Sequence, residues 1–320
     1  MLVEIAIFIT GLVVLSWAAD RFVYGASALA KNIGLSPMII GMTIVAMGSS
    51  APEIVVAATA SFSGNPNTAV GNAIGSNITN IMLVLGLTAI FKPILVSSIT
   101  VKRELPILLI VCLIAALFIA DYVFKLWEGI VLMVLFFSVI GGLTWLAIRA
   151  DRKDPLASEA DNEIPTGVST KAAVFWVIVG LILLPLSANF MVDSAVVIAK
   201  YFGLSDLIIG LTIIAIGTSL PELAASIAGV MKNEDDLALG NIIGSNIFNI
   251  LAVLGMPALI APGAIDPGAI ERDIYVMLGS TLALVAFSFN IGGHRQIQRW
   301  QGALLLLGFL AYQVLLFQSV

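Results

Sequence analysis

Long apolar segments alternate with short polar breaks along almost the whole chain. Ten apolar segments can be counted in the 320 residues, at about 2–30, 37–62, 69–91, 105–124, 126–148, 172–199, 206–230, 237–260, 274–291 and 300–318. Each is long enough to cross a hydrocarbon layer about 30 Å thick as a helix. The period-two alternation of a membrane β-barrel is missing. The pattern therefore predicts an all-α polytopic membrane protein with ten transmembrane helices.

The pattern of the first half returns in the second half at an offset of 169 residues. Residues 41–57 and 210–226 share eight identities in seventeen positions, and residues 71–81 and 240–250 share nine in eleven. Five segments per half is an odd number, so the second half must enter the membrane in the opposite orientation. The sequence predicts two inverted-topology repeats of five helices, in which helices two, three, seven and eight are broken.

One polar segment in the middle of the chain sets the predicted domain boundaries. Residues 1–149 form the first repeat, residues 171–320 form the second, and residues 150–170 form an acidic linker too short to hold a folded domain. With the N-terminus placed outside, the cytoplasmic loops carry eleven Lys and Arg residues and the outer loops carry three. This bias predicts periplasmic termini and a cytoplasmic linker in a protein of the cell's inner membrane.

Composition supports the membrane interpretation and limits the chemistry. The chain is 60% hydrophobic and 11% charged, which lies outside the range of soluble globular proteins. Cys112 is alone, which excludes an intramolecular disulfide, and His294 is predicted to lie in a solvated loop. Neither Gly-Ser-Ser-Ala-Pro nor Gly-Thr-Ser-Leu-Pro is a nucleophile elbow, and no Lys or His is placed to activate these hydroxyls. We therefore expect no enzymatic activity, no cofactor, no nucleic acid and no required protein partner.

Two acidic residues occupy matching places deep in apolar sequence. Glu53 ends the segment Gly-Met-Thr-Ile-Val-Ala-Met-Gly-Ser-Ser-Ala-Pro-Glu, and Glu222 ends Gly-Leu-Thr-Ile-Ile-Ala-Ile-Gly-Thr-Ser-Leu-Pro-Glu. The Gly and Pro residues open backbone hydrogen bonds just before each carboxylate. A charge at this depth costs about 2.5 to 3.5 kcal/mol and usually faces a partner or an ion pathway. An inverted repeat should bring both glutamates together near the middle of the membrane.

The residues around the two glutamates supply oxygen donors. They are hydroxyls and amides of the repeated motifs, together with backbone carbonyls at the predicted breaks: Ser49, Ser50, Ser76, Asn80, Thr218, Ser219, Ser245, Asn249, Ala46 and Ala215. Such donors suit Ca²⁺ and Na⁺ rather than soft metals. Two neighbouring carboxylates must be neutralised by one divalent ion, by monovalent ions or by protons. The sequence therefore predicts an exchanger of cations.

Several alternatives remain open at this point. The Gly-Ser pairs of the second motif can serve close helix packing. Asn72 and Asn241 are expected to tie down broken backbone rather than to touch an ion. Asp20 and Arg21 are expected to form a local ion pair. Proton-coupled Ca²⁺ exchange and, less well supported, a passive cation channel are the rival functions, and Sr²⁺ and Mn²⁺ are rival substrates.

The paired motifs resemble the two alpha-repeats of the calcium/cation antiporter superfamily, in its sodium/calcium exchanger branch. The resemblance rests on the two Gly-Ser/Thr-Ser-x-Pro-Glu segments, each followed by Gly-Asn-x-Ile-Gly-Ser-Asn-Ile, and it extends over essentially the whole chain. The chain is most similar to short prokaryotic members that lack a large cytoplasmic domain. The resemblance implies electrogenic exchange of three Na⁺ for one Ca²⁺ by alternating access, with the first and sixth helices sliding across the other eight.

The resemblance also implies a role for each motif residue. Glu53 and Glu222 would be the central ligands, with Ser49 and Thr218 shared by the Ca²⁺ site and the adjacent Na⁺ sites. The remaining Na⁺ ligands would be Ser50, Ser76, Ser219, Ser245 and the carbonyls of Ala46 and Ala215, and the middle position would be held by Asn80 and Asn249. Asn249 replaces an Asp found in the potassium-dependent branch, so K⁺ is not expected to be co-transported.

Overall fold

The structure, a computed structural model, describes residues 2–149, 168–202, 215–289 and 295–318. Residues 150–167 of the predicted linker, residues 206–214 of the seventh apolar segment and His294 lie outside these residues. Helices dominate the described chain. Their bounds are α1 Leu2–Ile33, α2 Pro37–Ser49, α3 Ala51–Phe62, α4 Pro66–Phe91, α5 Leu105–Ile119, α6 Leu126–Arg149, α7 Thr170–Tyr201, α8 Ala215–Thr218, α9 Leu220–Met231, α10 Asp235–Ile260, α11 Ile274–Ser288 and α12 Arg299–Gln318.

Six of the described helices are long and apolar enough to cross a membrane: α1, α4, α6, α7, α10 and α12. The pair α2 and α3, bent by 44° at its break, would make a seventh. The helix α9 is apolar but shorter. The helical membrane fold is therefore confirmed, whereas the count of ten transmembrane helices stays a prediction.

Two helix breaks occur at equivalent positions of the two halves. Ser50 separates α2 from α3, and Ser219 separates α8 from α9, each with ψ of 6° rather than a helical value. Pro52 and Pro221 follow directly in the first turn of the next helix, where a residue without an N–H is tolerated. The predicted breaks in helices two and seven are confirmed.

The predicted breaks in helices three and eight are wrong. The helix α4 runs without interruption, and α10 is interrupted only at Leu254, a turn residue whose φ of −69° and ψ of −28° stay close to helical values. Each helix contains a π-helical turn, at Thr79–Leu85 and Asn249–Val253. The Gly-Asn-x-Ile-Gly-Ser-Asn motif carries no proline, so the backbone widens by one residue per turn instead of ending. Such wide turns occur often at functional sites.

Four short strands join the two halves of the chain. The strand β1 (Ile94–Leu95) pairs antiparallel with β4 (Gln296–Ile297), and β2 (Val123–Phe124) pairs with β3 (Gly263–Ala264). The helix of the fourth apolar segment ends at Ile119, earlier than the predicted 124, because the chain turns at residues 120–122 and then enters β2. Each strand pair takes one strand from each half.

The long helices α1 and α7 pack directly against each other. A Cβ atom added at Gly11 of α1 would lie 2.6 Å from Cγ of Met191, and one added at Gly180 of α7 would overlap Cδ2 of Phe22. Gly11 and Gly180 are equivalent positions, as are Phe22 and Met191. In each helix, the space left by a glycine is therefore filled by a bulky side chain of the other helix.

The helices α2 and α10 cross in close contact beside the repeated motifs. A Cβ atom at Gly240 would lie 2.5 Å from the Met38 carbonyl oxygen, and one at Gly244 would lie 2.6 Å from Cα of Met42. Only glycine lets the two backbones approach this closely. The packing role suggested for Gly244 is thus confirmed, and it brings the serine that follows, Ser245, next to α2. For the equivalent Gly75 the packing interpretation is wrong, because a Cβ atom added there would meet nothing within 4 Å.

Candidate ion-binding site

Glu53 and Glu222 lie in the first turns of α3 and α9, directly after the two breaks. Each side chain is 1% exposed, and the two carboxyl groups are near enough to interact electrostatically. The freed N–H groups at a helix start favour negative charge there. The repeated motif therefore places two carboxylates together in the interior of the protein.

Ser50 links the two breaks. Its hydroxyl Oγ lies 3.4 Å from Oε1 of Glu222, to which it donates a hydrogen bond, and Ser50 itself is fully buried. The backbone N–H of Ser50 donates to the carbonyl oxygen of Ala46 at 3.0 Å. A hydroxyl of the first motif therefore contacts the carboxylate of the second.

Ser49 links the first motif to α10. Its hydroxyl lies 3.2 Å from Oδ1 of Asn241, 3.4 Å from Oγ of Ser245 and 3.4 Å from the carbonyl oxygen of Ala46. The side chain is 2% exposed and also lies beside the Glu222 carboxylate. Oxygen atoms from α2, α9 and α10 thus surround one hydroxyl.

Two equivalent asparagines hold the backbone of the glutamates. The Asn72 amide donates to the carbonyl oxygen of Glu53 at 3.3 Å, and the Asn241 amide donates to the carbonyl oxygen of Glu222 at 3.4 Å. These are the backbone contacts expected from the sequence. They fix the first turns of α3 and α9 and hence the direction of the carboxylates.

Buried oxygen atoms without a hydrogen-bond partner concentrate at the site. Among the described residues, three equivalent pairs each leave one side-chain oxygen unpaired: Glu53 and Glu222, Asn80 and Asn249, and Asn77 and Asn246. The hydroxyl of Ser219 is also buried and unpaired. A buried acceptor without a donor costs about 1 to 3 kcal/mol, so a cation bound among these oxygens would remove an unfavourable term.

The donors of the site are two carboxylates and neutral oxygens. Within the described part of the chain, no three His, Cys, Asp or Glu side chains gather into a metal-binding group. Carboxylate, amide, hydroxyl and carbonyl oxygens are the ligands that Ca²⁺ takes, with six to eight of them at about 2.3 to 2.6 Å. The chemistry of the site fits a hard cation.

Comparison with known proteins decides the family. The family model described as sodium/calcium exchanger protein matches residues 3–145 and 172–318. The chain belongs to the sodium/calcium exchanger family. It is thus a membrane transport protein that exchanges cations, Ca²⁺ among them, rather than an enzyme.

Individual proteins are similar to this chain over nearly its full length. The chain is 56% identical to the putative antiporter CaxA of Alkalimonas amylolytica over all of both sequences. It is 44% identical to the inner membrane protein YrbG of Escherichia coli strain K12, over 99% of this chain and 98% of that protein. Among solved structures, the sodium–calcium exchanger NCX_Mj, soaked with Na⁺ and Ca²⁺, matches with a TM-score of 0.83 and 32% identity, covering 100% of this chain and 99% of that one.

The other predicted ligands of this sodium/calcium exchanger family member differ in their burial and in their contacts with the two glutamates. Asn80, Asn249 and Ser76 are buried, at 1%, 1% and 6% exposed. Thr218 is half-buried at the end of α8, and Ala215 is the first residue of that helix. Among the described residues, no hydrogen bond joins Asn80, Asn249 or Ser76 to the glutamates.

Sequence reasoning missed three buried polar residues. Asn77 and Asn246 occupy equivalent positions, and the Asn77 amide donates to the backbone oxygen of Asn246 at 3.3 Å. Their identity in both copies of the motif was a signal that could have found them. Ser226, which accepts a hydrogen bond from Asn241, has Ala57 as its equivalent, so the repeat pattern gave no signal for it.

Proposed function

We propose that this protein is an antiporter that exchanges Na⁺ for Ca²⁺ by alternating access. The observation that carries the proposal is the buried pair Glu53 and Glu222, in which each carboxylate keeps one oxygen without a hydrogen-bond partner. A doubly negative empty site is unfavourable in a low-dielectric interior. The site therefore crosses between its two open states only when cations balance it, and this requirement couples the two fluxes.

The proposed architecture has ten transmembrane helices in two inverted repeats, residues 1–149 and 171–320, joined by the linker 150–170. Contacts between equivalent residues support it, because a twofold relation brings equivalent residues together at its axis. Besides Asn77 and Asn246, Sγ of Cys112 lies 3.8 Å from Oγ1 of Thr281. The π-helical turns Thr100–Glu104 and Ala269–Asp273 also recur at the offset of 169.

Both termini are proposed to be periplasmic and the linker cytoplasmic. The bias of Lys and Arg toward one set of loops supports this orientation. The E. coli relative YrbG is named an inner membrane protein, which supports the same location for this chain.

The proposed ligands follow the repeated motifs. Glu53, Glu222, Ser49 and Thr218 would hold Ca²⁺, and the hydroxyl contacts of Ser49 with its neighbours support this arrangement. The Na⁺ sites would use these residues together with Ser50, Ser76, Ser219, Ser245 and the carbonyls of Ala46 and Ala215. Asn80 and Asn249 would hold the middle position, which their unpaired amide oxygens support.

The proposed stoichiometry is three Na⁺ for one Ca²⁺. One Ca²⁺ balances two carboxylates, whereas three Na⁺ leave one excess positive charge, so each cycle moves one net charge. At about 2.3 kcal/mol per charge per 100 mV, an inside-negative potential favours Na⁺ entry and Ca²⁺ extrusion. Because the middle position holds the neutral amide Asn249, no K⁺ is needed for charge balance.

Uptake of radiolabelled Ca²⁺ into proteoliposomes loaded with Na⁺, K⁺ or choline tests the coupling. We expect uptake only from Na⁺-loaded vesicles, with no stimulation by K⁺. Uptake that ignores internal Na⁺ and follows an imposed pH gradient would make protons the coupling ion. Flux that needs no counter-ion would indicate a channel. Sr²⁺ is the first competing divalent ion to test, because NCX_Mj has been solved after soaking with Sr²⁺.

A further inference from the structure

We propose that Asn241 and Ser226 are positioning residues that orient the Ser49 hydroxyl for the transported ion. The inference rests on the proposed function, since it takes Ser49 to be an ion ligand. Neither Asn241 nor Ser226 needs to touch the ion. Both act through the direction in which Ser49 points its proton.

A serine hydroxyl has one proton and two lone pairs. When it binds a cation, its lone pairs must face the cation and its proton must point elsewhere. Ser49 lies beside the Glu222 carboxylate, which would attract that proton when the site is empty. Oδ1 of Asn241, at 3.2 Å, is nearer to the Ser49 hydroxyl than the carbonyl oxygen of Ala46 or Oγ of Ser245, each at 3.4 Å. With the proton on Asn241, the lone pairs of Ser49 and the oxygens of Glu222 are all available to the cation.

The Asn241 amide is held in the orientation that this role requires. Its Nδ2 donates to Oγ of Ser226 at 3.1 Å and to the carbonyl oxygen of Glu222 at 3.4 Å, so Oδ1 faces Ser49. Asn241 is 1% exposed and Ser226 is fully buried. Solvent therefore cannot replace either bond, and rotation of the amide would place its oxygen against the carbonyl oxygen of Glu222, which cannot donate a hydrogen bond.

The two equivalent hydroxyl groups of the site, those of Ser49 and Thr218, are oriented in different ways. The equivalent of Ser49 is Thr218, whose β-methyl group restricts its side-chain rotamers. The equivalent of Ser226 is Ala57, which has no hydroxyl. Ser49, which lacks the threonine methyl, thus contacts an asparagine of the other repeat that is itself bonded to Ser226. Ser226 and Asn241 supply from outside the orientation that threonine has from its own branching.

Ser226→Ala tests the inference, because it removes one hydroxyl without touching the ion site. We expect the apparent KM for Ca²⁺ to rise about two- to tenfold with little change in the maximal rate, as loss of one neutral hydrogen bond predicts. Uptake into Na⁺-loaded proteoliposomes gives both parameters. Calorimetric titration of the purified protein with Ca²⁺ gives the binding constant separately.

Adding Ser49→Thr to Ser226→Ala should restore the Ca²⁺ affinity, because the methyl group then orients the hydroxyl. Ser61→Ala is the matched control: Ser61 is also buried, but its hydroxyl bonds the carbonyl oxygen of Ala57 in its own helix at 2.7 Å. We expect wild-type affinity for it. An unchanged KM and binding constant in Ser226→Ala, or a loss that Ser49→Thr does not rescue, would overturn the inference.

Calorimetry separates this result from the proposed function. If wild-type uptake proves to be proton-driven, the proposed Na⁺ coupling fails, yet the Ca²⁺ titrations of the same variants still decide the role of Ser226. If wild-type uptake is Na⁺-driven and the titrations of Ser226→Ala match wild type, only the positioning role fails.

Discussion

At the scale of single residues, the site is a set of buried oxygens with too few donors. Glu53 and Glu222 could be found from sequence because a carboxylate in an apolar segment is conspicuous and because it occurs twice. Ser226 could not be assigned in this way, because its equivalent is Ala57, and the repeat of Asn77 and Asn246 marks them as candidates without naming their partners. A buried amide or hydroxyl has no fixed partner in sequence, and the neighbours that pair with it come from distant parts of the chain.

Replacing one glutamate should abolish exchange. Glu222→Gln keeps the size of the side chain but halves the charge that balances Ca²⁺, so we expect Ca²⁺ uptake to fall more than about tenfold. Ca²⁺ should also lose its stabilising effect on thermal unfolding of the variant, since that effect follows binding. Melting curves with and without Ca²⁺ provide the measurement.

Glu128→Gln is the control for this substitution. Glu128 is 2% exposed and lies in the first turn of α6, where Oε2 accepts the backbone N–H of Lys125 at 2.8 Å. A glutamine can accept the same bond. Retained Ca²⁺ stabilisation in Glu222→Gln, or its loss in Glu128→Gln, would argue against the site.

At the scale of helices, prolines made part of the site predictable and packing determined the rest. Pro52 and Pro221 marked the breaks before each glutamate, because proline cannot continue the hydrogen-bond pattern of a preceding helix. The π-helical turns of α4 and α10 carry no comparable residue signal. Their widening depends on the helices that pack against them, which a hydrophobic pattern does not specify.

The close crossing of α2 and α10 should be sensitive to one methyl group. Gly244→Ala would place Cβ 2.6 Å from Cα of Met42 and 2.7 Å from Cβ of Ala46, so the helices must separate. We expect a loss of stability of about 1 to 3 kcal/mol, as overpacking costs. Because Ser245 moves with α10 away from Ser49, Ca²⁺ affinity should fall as well.

Gly141→Ala in α6 is the matched control for Gly244→Ala. No atom lies within 4 Å of a Cβ added at Gly141, so the added methyl group meets open space. The control should unfold at or above the wild-type temperature, since alanine favours helix more than glycine does. Equal melting temperatures for Gly244→Ala and the wild type would show that the crossing tolerates separation.

At the scale of the whole molecule, the hydrophobic pattern was sufficient for the membrane fold and the repeat was sufficient for the family. The ion pairs that join helices to turns were harder to predict from the sequence. Asp20 was expected to pair with Arg21, and their charged atoms lie 3.8 Å apart. Asp20 also pairs with Lys232 after α9, at 2.7 Å, across 212 positions of sequence. The pairing of Asp20 with its sequence neighbour Arg21 could be predicted, whereas its pairing with the distant Lys232 could not.

The pair of Asp20 and Lys232 joins the long helix α1 to the turn that follows α9. The equivalent positions hold Asn189 and Ser63, which cannot form an ion pair, so this contact between the two halves has no symmetric counterpart. If α1 slides across the other helices, this contact favours one of the two open states. Lys232→Gln should then change the maximal transport rate up to about fivefold, within the range of an exposed ion pair, and leave the KM for Ca²⁺ unchanged.

Lys232→Arg, which keeps the positive charge, should transport at the wild-type rate. Initial rates over a range of Ca²⁺ concentrations, measured in vesicles of equal protein content, supply both parameters. A wild-type rate in Lys232→Gln would show that the ion pair does not bias the transport cycle.

The central claim is that the protein exchanges one Ca²⁺ for three Na⁺ at a site formed by Glu53 and Glu222. The dependence of Ca²⁺ uptake on the membrane potential tests this claim most directly. Proteoliposomes loaded with Na⁺ would be held at defined potentials with a K⁺ gradient and valinomycin, with Glu53→Gln measured in parallel. Faster uptake at inside-positive potential, and no uptake in the variant, is the predicted result. Uptake independent of potential would exclude net charge movement, and full uptake by Glu53→Gln would contradict the proposed site.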